Sequence, residues 1–375
     1  MQKKILIATG IFPPDIGGPA TYSKLLVDKL PEKGFLVEVV SFGEVRHLPK
    51  IIRHIAYFFN VMFRARGADI FFAQDPVSVG LPSCIAAFIL RKPFYLKIVG
   101  DYAWEQGVQR FGVKDLLDEF SKQKNYSVSV RVMKNIQTMV CRRAIKIIVP
   151  SNYLKNIVIN WGISGEKISV IYNAFEPIVS LPQKEELRKK FGFSGNVITS
   201  VGRLVPWKGF DGLITVFAEL HKNDSSLRLV IAGEGPDRAS LEAHAKKSGV
   251  VDSVLFTGRL AQRDMLEYVK ASDVFALNTS YEGFSHQLIE VLAVGTPCVT
   301  TRVGGNVEII HSGENGILFP YNDLPKLKKS ISLVLGDNDL ALKITTAGQN
   351  TVRSYSSDRM ISELVQELNP TRKLL

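Results

Sequence analysis

The chain has 375 residues, more than the roughly 250 to 300 at which a single hydrophobic core stops growing, so two domains are expected. Hydrophobic residues make up 46% of the chain and charged residues 22%, and these ordinary values exclude a mainly disordered protein and a disulfide scaffold. The net charge of +11 comes from the first half alone, because residues 1–175 hold 24 Lys and Arg against 13 Asp and Glu, whereas residues 176–375 hold 23 of each.

This charge asymmetry predicts an anionic partner for the first half, either a nucleic acid or an acidic membrane surface. The three cysteines, Cys84, Cys141 and Cys298, lie far apart and form no CxxC pair, which is typical of reduced thiols in a cytoplasmic protein. The first residues indicate a β-strand and not a signal peptide, and no apolar run reaches the roughly 18 residues of a membrane-spanning helix. A cytoplasmic location is therefore predicted.

Short β-branched or aromatic runs alternate with longer amphipathic stretches through the first half of the chain. This rhythm predicts a parallel sheet flanked by helices, because parallel strands need crossover connections that helices usually provide. The predicted strands are 3–9, 35–42, 69–74, 93–99 and 145–151.

A polar stretch follows IYNAFEP (171–177), and the strand rhythm then restarts in the second half. The predicted strands there are 196–204, 227–235, 254–260, 273–280, 297–305 and 316–320. Two doubly wound sheets in series are implied, with ligands at the carboxyl ends of the strands. The predicted boundaries are an N-terminal domain 1–175, a linker 176–195, a C-terminal domain 196–355, and a closing helix or tail 356–375 for which a return to the N-terminal domain is one option.

In the second half, VGRLVPWKGF places Arg203 just after a predicted strand and Lys208 five residues later, where the helix FDGLITVFAEL is expected to begin. An arginine fork, a lysine point charge and the N–H groups of a helix start together suit the oxygens of a diphosphate. A solvated basic loop is the alternative for this segment taken alone.

Two glutamates follow in NTSYEGFSHQLIEVLAVGTP, with Glu282 at a turn and Glu290 eight residues later. Eight residues are slightly more than two helical turns, so a helix through both would place their carboxylates close to the same side. Gly283 and the small or polar residues after it would leave N–H groups available for phosphate or sugar oxygens. One capping glutamate and one salt-bridged glutamate is the alternative.

The E-x7-E spacing inside SYEGFSHQLIEVLAVGTPCV, together with GRLVPWKG, resembles the family 4 glycosyltransferases, the group 1 glycosyl transferases of the GT-B fold. The segments FPPDIGGPATY, IYNAFE, AGEGPDR and FTGRL occur in the family's order, so the resemblance covers nearly the whole chain. It implies an α/β protein of two Rossmann-like, doubly wound parallel-sheet domains facing a central cleft. The N-terminal domain would be the acceptor side and the C-terminal domain would bind the nucleotide-sugar.

The same resemblance implies retaining transfer, in which Arg203 and Lys208 neutralise charge on the departing diphosphate. Glu290 would bind the donor ribose and Glu282 would lie near the transferred sugar. No DxD motif stands at a strand end, so neither a metal nor a cofactor beyond the donor is expected. Two glutamates could also indicate glycoside hydrolysis, but the adjoining diphosphate site argues against it.

Further site residues follow from the resemblance. Gly17 and Gly18 precede a helix expected near Pro19, where missing side chains would let N–H groups approach the donor phosphates or the acceptor. An ordinary flexible loop is the alternative for this segment. Asp101 follows the fourth strand where many family members carry a histidine, and it is expected to orient acceptor or sugar hydroxyls as a member of the catalytic set with Arg203, Lys208 and Glu282. The remaining donor-site residues are Glu234, Arg259, Leu260, Gly283, Phe284 and Ser285.

The segment LPKIIRHIAYFFNVMFRARGAD carries several cations and large apolar residues and no acidic residue before its last position. It predicts an amphipathic basic helix, either lying in an anionic bilayer interface or packed on the N-terminal sheet with polar residues outward. The residues concerned are Lys50, Arg53, Arg64, Arg66, Ile51, Ile52, Ile55, Phe58, Phe59 and Phe63. Nucleic-acid binding is disfavoured, because no RNA-binding or DNA-binding module is recognisable.

The function predicted from the sequence is transfer of a sugar from a nucleotide diphosphate-sugar to a glycan or lipid-linked acceptor in polysaccharide or glycoconjugate biosynthesis. The expected location is cytoplasmic, with peripheral attachment to the inner face of the cell membrane if the basic segment docks there. Two alternatives are a GT-B nucleotide-sugar epimerase or hydrolase and a non-catalytic, basic, membrane-peripheral binding protein.

Overall fold

The computed structural model describes residues 2–15, 17–176 and 180–369. The chain divides into two compact units, one extending to Asn173 and including the stretch that begins at Ser357, the other extending from Ala174 to Ser356. Each unit contains a six-stranded, all-parallel sheet. The predicted α/β class with two doubly wound sheets is confirmed.

The first sheet has the order β2-β1-β3-β4-β5-β6. Its strands are β1 (Lys3–Thr9), β2 (Phe35–Ser41), β3 (Ile70–Ala73), β4 (Phe94–Lys97), β5 (Lys146–Val149) and β6 (Ile168–Val170). Five of these match predicted runs. The sequence reasoning missed β6, whose three residues include a polar serine and form too short a run to stand out.

Among the described residues, seven helices connect the strands of this sheet. They are α1 (Gly18–Lys29), α2 (Lys50–Arg64), α3 (Gly80–Ile89), α4 (Tyr102–Arg110), α5 (Leu117–Lys122), α6 (Val128–Arg143) and α7 (Asn152–Asn160). The helix starts reflect local chemistry: the Ser151 hydroxyl, for example, accepts a hydrogen bond from the Leu154 N–H at 3.1 Å and begins α7.

The second sheet has the order β12-β11-β10-β7-β8-β9. Its strands are β7 (Val197–Val201), β8 (Arg228–Ala232), β9 (Val254–Gly258), β10 (Val274–Leu277), β11 (Cys298–Thr301) and β12 (Ile317–Phe319). All six lie within predicted runs. Their side chains are largely buried, as expected for parallel strands covered by helices on both faces.

Among the described residues, eight helices accompany the second sheet along the chain, and a last one follows it. They are α8 (Lys184–Phe191), α9 (Phe210–His221), α10 (Arg238–Lys247), α11 (Gln262–Ala271), α12 (His286–Val294), α13 (Asn306–Ile309), α14 (Leu324–Gly336), α15 (Asn338–Val352) and α16 (Ser357–Leu368).

Helix α8 lies inside the stretch predicted as a linker, residues 176–195. It packs on the second unit through a stacked Phe191–Tyr268 ring pair, 4.0 Å between centroids, and an ion pair from Arg188 to Asp273 at 2.8 Å. The polar composition of this stretch therefore reflects an amphipathic surface helix and not a free connection. The first of the two segments that make up the first unit ends at Asn173, two residues before the predicted boundary. Residues 177–179 of the predicted linker lie outside the described residues.

Helix α16 belongs to the first unit although the second unit precedes it in sequence. Its apolar side chains Met360, Ile361, Leu364 and Leu368 are buried. The predicted tail beyond Asn369 lies outside the described residues.

The three cysteines are buried and unpaired, as the sequence predicted. Within the described residues, no helix combines the length and hydropathy that crossing a membrane requires.

Candidate functional site

The second sheet reverses its strand order between β7 and β10, which are neighbours in the sheet but are separated by β8 and β9 along the chain. The loop after β7 carries Arg203 and Lys208, and the loop after β10 carries Glu282. Because both strands are parallel, the two loops meet at one edge of the sheet. Ligands of open α/β sheets bind at such a point.

Lys208 and Glu282 form an ion pair across these two loops. The Lys208 Nζ lies 2.5 Å from the Glu282 Oε1, and each side chain is only 11% exposed. The Ser280 N–H also donates to the Trp207 carbonyl at 2.7 Å, and the Thr279 hydroxyl donates to the same carbonyl at 3.1 Å. The backbone therefore holds both partners in place.

Arg203 is exposed on the same loop and has no carboxylate partner among the residues that the structure describes. Its guanidinium carbon lies 5.6 Å from the Trp207 ring centroid, a cation–π contact that orients the side chain. The site thus combines one neutralised ion pair with one cation whose charge is available to an anionic ligand.

Glycines allow these loops to approach one another closely. At Gly209, φ is 63°, and a Cβ there would lie 1.8 Å from the Asn278 carbonyl oxygen. At Gly233, a Cβ would lie 1.8 Å from the Gly202 carbonyl oxygen. No other residue fits these positions without moving the backbone.

Glu282 precedes helix α12 and does not lie on it. Ser285 caps this helix, its hydroxyl accepting from the Leu288 N–H at 3.3 Å, and the first helical residue is His286. The expectation that Glu282 and Glu290 share one side of a helix is therefore wrong. The capping serine interrupts the helical repeat between them.

The loop around Glu282 is instead fixed by the turn after β11. The Gly305 N–H donates to the Glu282 carbonyl at 2.8 Å. A Cβ at Gly304, where φ is 51°, would lie 2.2 Å from the same carbonyl oxygen. Sequence reasoning missed Gly304 and Gly305, although paired glycines directly after a predicted strand are the signal that could have found them.

Glu290 lies on α12, and the Gln262 side-chain amide donates to its Oε1 at 2.6 Å. Burial raises the pKa of the Glu290 carboxyl to about 7, and the Gln262 hydrogen bond opposes that rise. Gln262 was also missed, because nothing in the sequence indicates that the start of α11 meets the middle of α12.

The other predicted donor-site residues in the loop that precedes α12 are buried. The Phe284 side chain is 6% exposed and packs edge-on against Tyr355, 5.5 Å between ring centroids, and Ser285 is 1% exposed. Gly283 is also buried, and a Cβ at Gly305 would lie 2.4 Å from its carbonyl oxygen. These residues shape the loop through packing and capping.

Glu234, Arg259 and Leu260 lie on the loops after β8 and β9. The Glu234 carbonyl accepts from the Leu204 N–H at 3.0 Å, and its carboxylate accepts from Arg238 at 3.3 Å. Arg259 is exposed and Leu260 partly exposed. The structure thus brings Glu234 next to the loop of Arg203, at the same sheet edge.

Gly17 and Gly18 lie in the first unit, where Gly17 is the N-cap of α1 and Pro19 is among its first two positions. The predicted helix start is confirmed.

Asp101, in contrast, is fully buried in the first unit. It caps α4 by accepting from the Trp104 N–H at 3.0 Å, and the Gln137 amide donates to it at 3.1 Å. Burial raises the pKa of its carboxyl. Its Oδ1 therefore accepts from two protein groups and caps a helix, a role that the sequence could not distinguish from a ligand contact. Contact of Asp101 with an acceptor or sugar hydroxyl stays a prediction.

Among the described residues, no group of three or more His, Cys, Asp or Glu side chains comes together in a way that could hold a metal ion.

Two family models match the chain. Residues 183–351 match "Glycosyl transferases group 1" and residues 16–177 match "Glycosyltransferase Family 4". Together these matches take in most of the described part of both units.

Two curated relatives illustrate the range of similarity. Mannosylfructose-phosphate synthase of Agrobacterium fabrum is 35% identical over 39% of this chain and 34% of its own length. N-acetyl-alpha-D-glucosaminyl L-malate synthase of Bacillus anthracis is 23% identical over 93% of each chain. For the first three curated relatives, the chain spans between 34% and 57% of their length.

Among solved structures, the Anabaena protein Alr3699/HepE in complex with UDP-glucose has a TM-score of 0.77 at 21% identity, over 97% of this chain and 99% of that one. This likeness confirms the predicted GT-B fold. With the two family matches, the chain belongs to the group 1, family 4 glycosyltransferases.

Proposed function

We propose that this chain is a retaining glycosyltransferase that moves a sugar from a nucleotide diphosphate-sugar to a glycan or lipid-linked acceptor. The observation that carries the proposal is the cationic site at the strand-order reversal of the second sheet. There the buried Lys208–Glu282 pair lies beside Arg203, which has no carboxylate partner among the described residues.

The charge balance of this site favours a diphosphate. Lys208 is already neutralised by Glu282, so Arg203 supplies the uncompensated positive charge of the site. A bound diphosphate would give Arg203 its counter-charge, and Lys208 could share its three donors between Glu282 and a phosphate oxygen. Charge that builds on the departing diphosphate would then be stabilised by groups that are already in position.

The two glutamates support different parts of a donor. Glu282 is held next to Lys208, where its second carboxylate oxygen could accept from a sugar hydroxyl close to the diphosphate. Glu290 is separated from this pair by Ser285 and the first turn of α12, and its carboxyl is held by Gln262. We assign Glu290 to the ribose hydroxyls and Glu282 to the transferred sugar.

The same charges support transfer without a metal and without a further cofactor. Arg203 and Lys208 could perform the neutralisation that a divalent cation performs in other transferases. Retention is tested by the anomeric configuration of the product in NMR, measured before spontaneous equilibration. Metal independence is tested by transfer in excess EDTA.

The acceptor, a glycan or a lipid-linked substrate, is assigned to the first unit, with the protein cytoplasmic or peripheral on the inner face of the membrane. The support is the net charge of +11, which the first half of the chain carries alone and which favours an anionic or lipid-linked partner. UDP-glucose in the Anabaena structure supports a nucleotide-sugar donor.

The first experiment is a thermal-shift panel of UDP, GDP and ADP, each with its common sugars. A matching nucleotide at about 100 times its Kd should stabilise the protein by roughly 2.7 kcal/mol. With the matching donor, Arg203→Ala should lower kcat/KM for transfer by about 100-fold or more, because one preformed donor to the transition state is lost.

The matched control is Lys246→Ala, which removes an exposed cation from α10, away from the strand ends. If Arg203→Ala and Lys208→Ala transferred sugar as well as Lys246→Ala, the assignment of these cations to the donor would be wrong. A donor consumed without an acceptor product would instead indicate a hydrolase or an epimerase.

A further inference from the structure

Helix α2 carries apolar side chains on two opposite faces. Its inward face buries Tyr57 and Val61 completely. The opposite face exposes large apolar side chains at spacings of three and four residues, which form a single stripe. These are Ile52 (54% exposed), Ile55 (53%), Phe59 (62%) and Phe63 (68%).

A helix that packs on a sheet normally turns polar residues to water. The sequence left open that α2 packs on the sheet with polar residues outward. The packing is confirmed by the buried Tyr57 and Val61, but the expected polar outward face is contradicted by the apolar stripe. The side chains of Lys50 and Ile51 lie outside the described residues.

Helix α3 extends this apolar surface. It exposes Ile85 (44%), Phe88 (69%) and Ile89 (54%) and packs against α2. Helix α2 connects β2 to β3 and α3 connects β3 to β4, so both crossovers advance in the same direction across the sheet. Right-handed crossovers then place both helices on one face. We call these seven side chains the α2–α3 apolar face.

Cations border this face. The Arg66 guanidinium lies 5.1 Å from the Phe63 ring centroid, and the Arg143 guanidinium lies 5.0 Å from that of Phe88. Arg91 is exposed two residues after the end of α3. None of the three has a carboxylate partner among the described residues, and the sequence holds no acidic residue in 46–68 or 76–100.

We infer that the α2–α3 apolar face docks into the interface of an anionic lipid bilayer, with Ile and Phe side chains among the acyl chains and the arginines at the headgroups. This inference locates the membrane attachment proposed above and rests on it, but it does not depend on the donor site. Exposed apolar area rimmed by cations is the composition of interfacial helices.

Other occupants fit the face less well. A second copy of the chain in a two-fold contact would bring Arg66, Arg91 and Arg143 against the same unpaired cations of its partner. A nucleic acid would satisfy the arginines but would leave the Ile and Phe side chains in water. An anionic bilayer, which is an apolar phase with a negatively charged boundary, satisfies both sets of side chains.

The experiment is co-sedimentation of the full chain with vesicles of phosphatidylcholine alone and of phosphatidylcholine with phosphatidylglycerol. The chain should bind the anionic vesicles selectively and less strongly at high salt. The variant F59S/F63S/F88S should lose binding to near background. The variant R66Q/R91Q/R143Q should weaken it by about fivefold for each cation removed.

The control variant V251S/L255S/L342S removes three exposed apolar side chains from the second unit and should bind vesicles like the parent chain. Circular dichroism should show that all three variants fold, and their nucleotide-induced thermal shifts should match the parent's. If nucleotides produced no thermal shift in the parent chain, that result would count against the donor site and not against this surface.

Equal binding of the parent to neutral and anionic vesicles would overturn the inference. So would undiminished binding by F59S/F63S/F88S. A parent that fails to bind vesicles, but forms a dimer that F59S/F63S/F88S dissociates, would assign the face to a second copy of the chain.

Discussion

Glu290 is the acidic residue of the candidate site whose charge depends on pH near neutrality. Burial raises its pKa to about 7, well above the roughly 4.3 of an ordinary glutamate. It has no cationic partner among the described residues, only the Gln262 amide at 2.6 Å. Its ability to accept two hydrogen bonds from a ribose therefore varies in the range where enzymes are assayed.

This predicts that nucleotide affinity rises with pH. Below about pH 7 the carboxyl must release its proton before it can accept from both hydroxyls. Each unit by which the pH is lowered below about 7 should therefore reduce nucleotide affinity by up to tenfold, whereas above about pH 7 the affinity should be constant. Calorimetric titration of the matching nucleoside diphosphate between about pH 6 and pH 8 measures the slope.

Two variants at this position serve as controls. Glu290→Gln should bind more weakly and without the slope. Gln262→Ala should move the midpoint upward, because the hydrogen bond that opposes the rise in pKa is lost. An affinity that stays flat in the parent chain, or a slope that persists in Glu290→Gln, would remove Glu290 from the ribose site.

The site residues that the sequence revealed are those with an unusual charge pattern. The sequence pointed to Arg203, Lys208 and Glu282, because charged residues directly after buried parallel strands lie where ligands bind. It did not point to Gln262, since a single polar side chain shows its partner only when the fold brings two distant segments together. Asp101 is ambiguous for the same reason, because a capping carboxylate and a ligand contact look alike in sequence.

At the scale of elements, the loops that follow the strands of the second sheet pack against one another. The loop after β7 contacts the loop after β10 at Gly209, and the turn after β11 supports Glu282 through Gly304 and Gly305. The position of each charged group therefore depends on glycines in neighbouring loops.

Gly209→Ala should disrupt this packing. A left-handed alanine costs about 1 to 2 kcal/mol, and its Cβ would also lie 1.8 Å from the Asn278 carbonyl oxygen. We expect a total loss of more than about 3 kcal/mol in the unfolding free energy of the second unit, measured in urea, together with loss of the nucleotide-induced thermal shift.

Gly249→Ala is the matched control. Its φ of 73° is similar, but nothing lies within 4 Å of the added Cβ. It should show only the backbone cost and keep the nucleotide shift. Equal destabilisation by the two substitutions would show that backbone strain, and not the approach of the two loops, makes Gly209 necessary.

The strands were predictable because continuous β-branched and aromatic runs, bounded by glycine and proline, mark buried parallel strands. Helix α8 and strand β6 were not, because one has the composition of a linker and the other is three residues long. The E-x7-E spacing fits a helical repeat through both glutamates, and only the cap at Ser285 shows that the helix begins after Glu282.

At the scale of the whole molecule, the first unit differs from the second in both charge and exposed apolar surface. The excess positive charge lies in the first half of the chain, and most of the large apolar side chains that are exposed among the described residues belong to the first unit. This division suits a chain in which one unit meets the membrane and the acceptor and the other holds the donor.

The two units are not consecutive pieces of sequence, since α16 returns to the first. The Glu367 carboxylate accepts from the Ser169 hydroxyl at 2.6 Å and lies 3.7 Å from the Lys146 Nζ, and the Asn369 side chain accepts from Lys3 at 2.6 Å. Helix α16 also packs against α1.

Truncation after Ser356 should therefore destabilise the first unit, although the deletion adjoins the second in sequence. Losing the buried Met360, Ile361, Leu364 and Leu368 should cost several kcal/mol, at about 1.5 to 3 kcal/mol for each apolar side chain. Hydrogen exchange followed by mass spectrometry should show faster exchange in α1 and β6 and unchanged exchange in β7 to β12.

Truncation after Asn369 keeps all of α16 and should leave both units as they are. If exchange quickened in the second sheet after the longer truncation while α1 stayed protected, α16 would be a stabilising element of the second unit, and the division at Ser356 would be wrong.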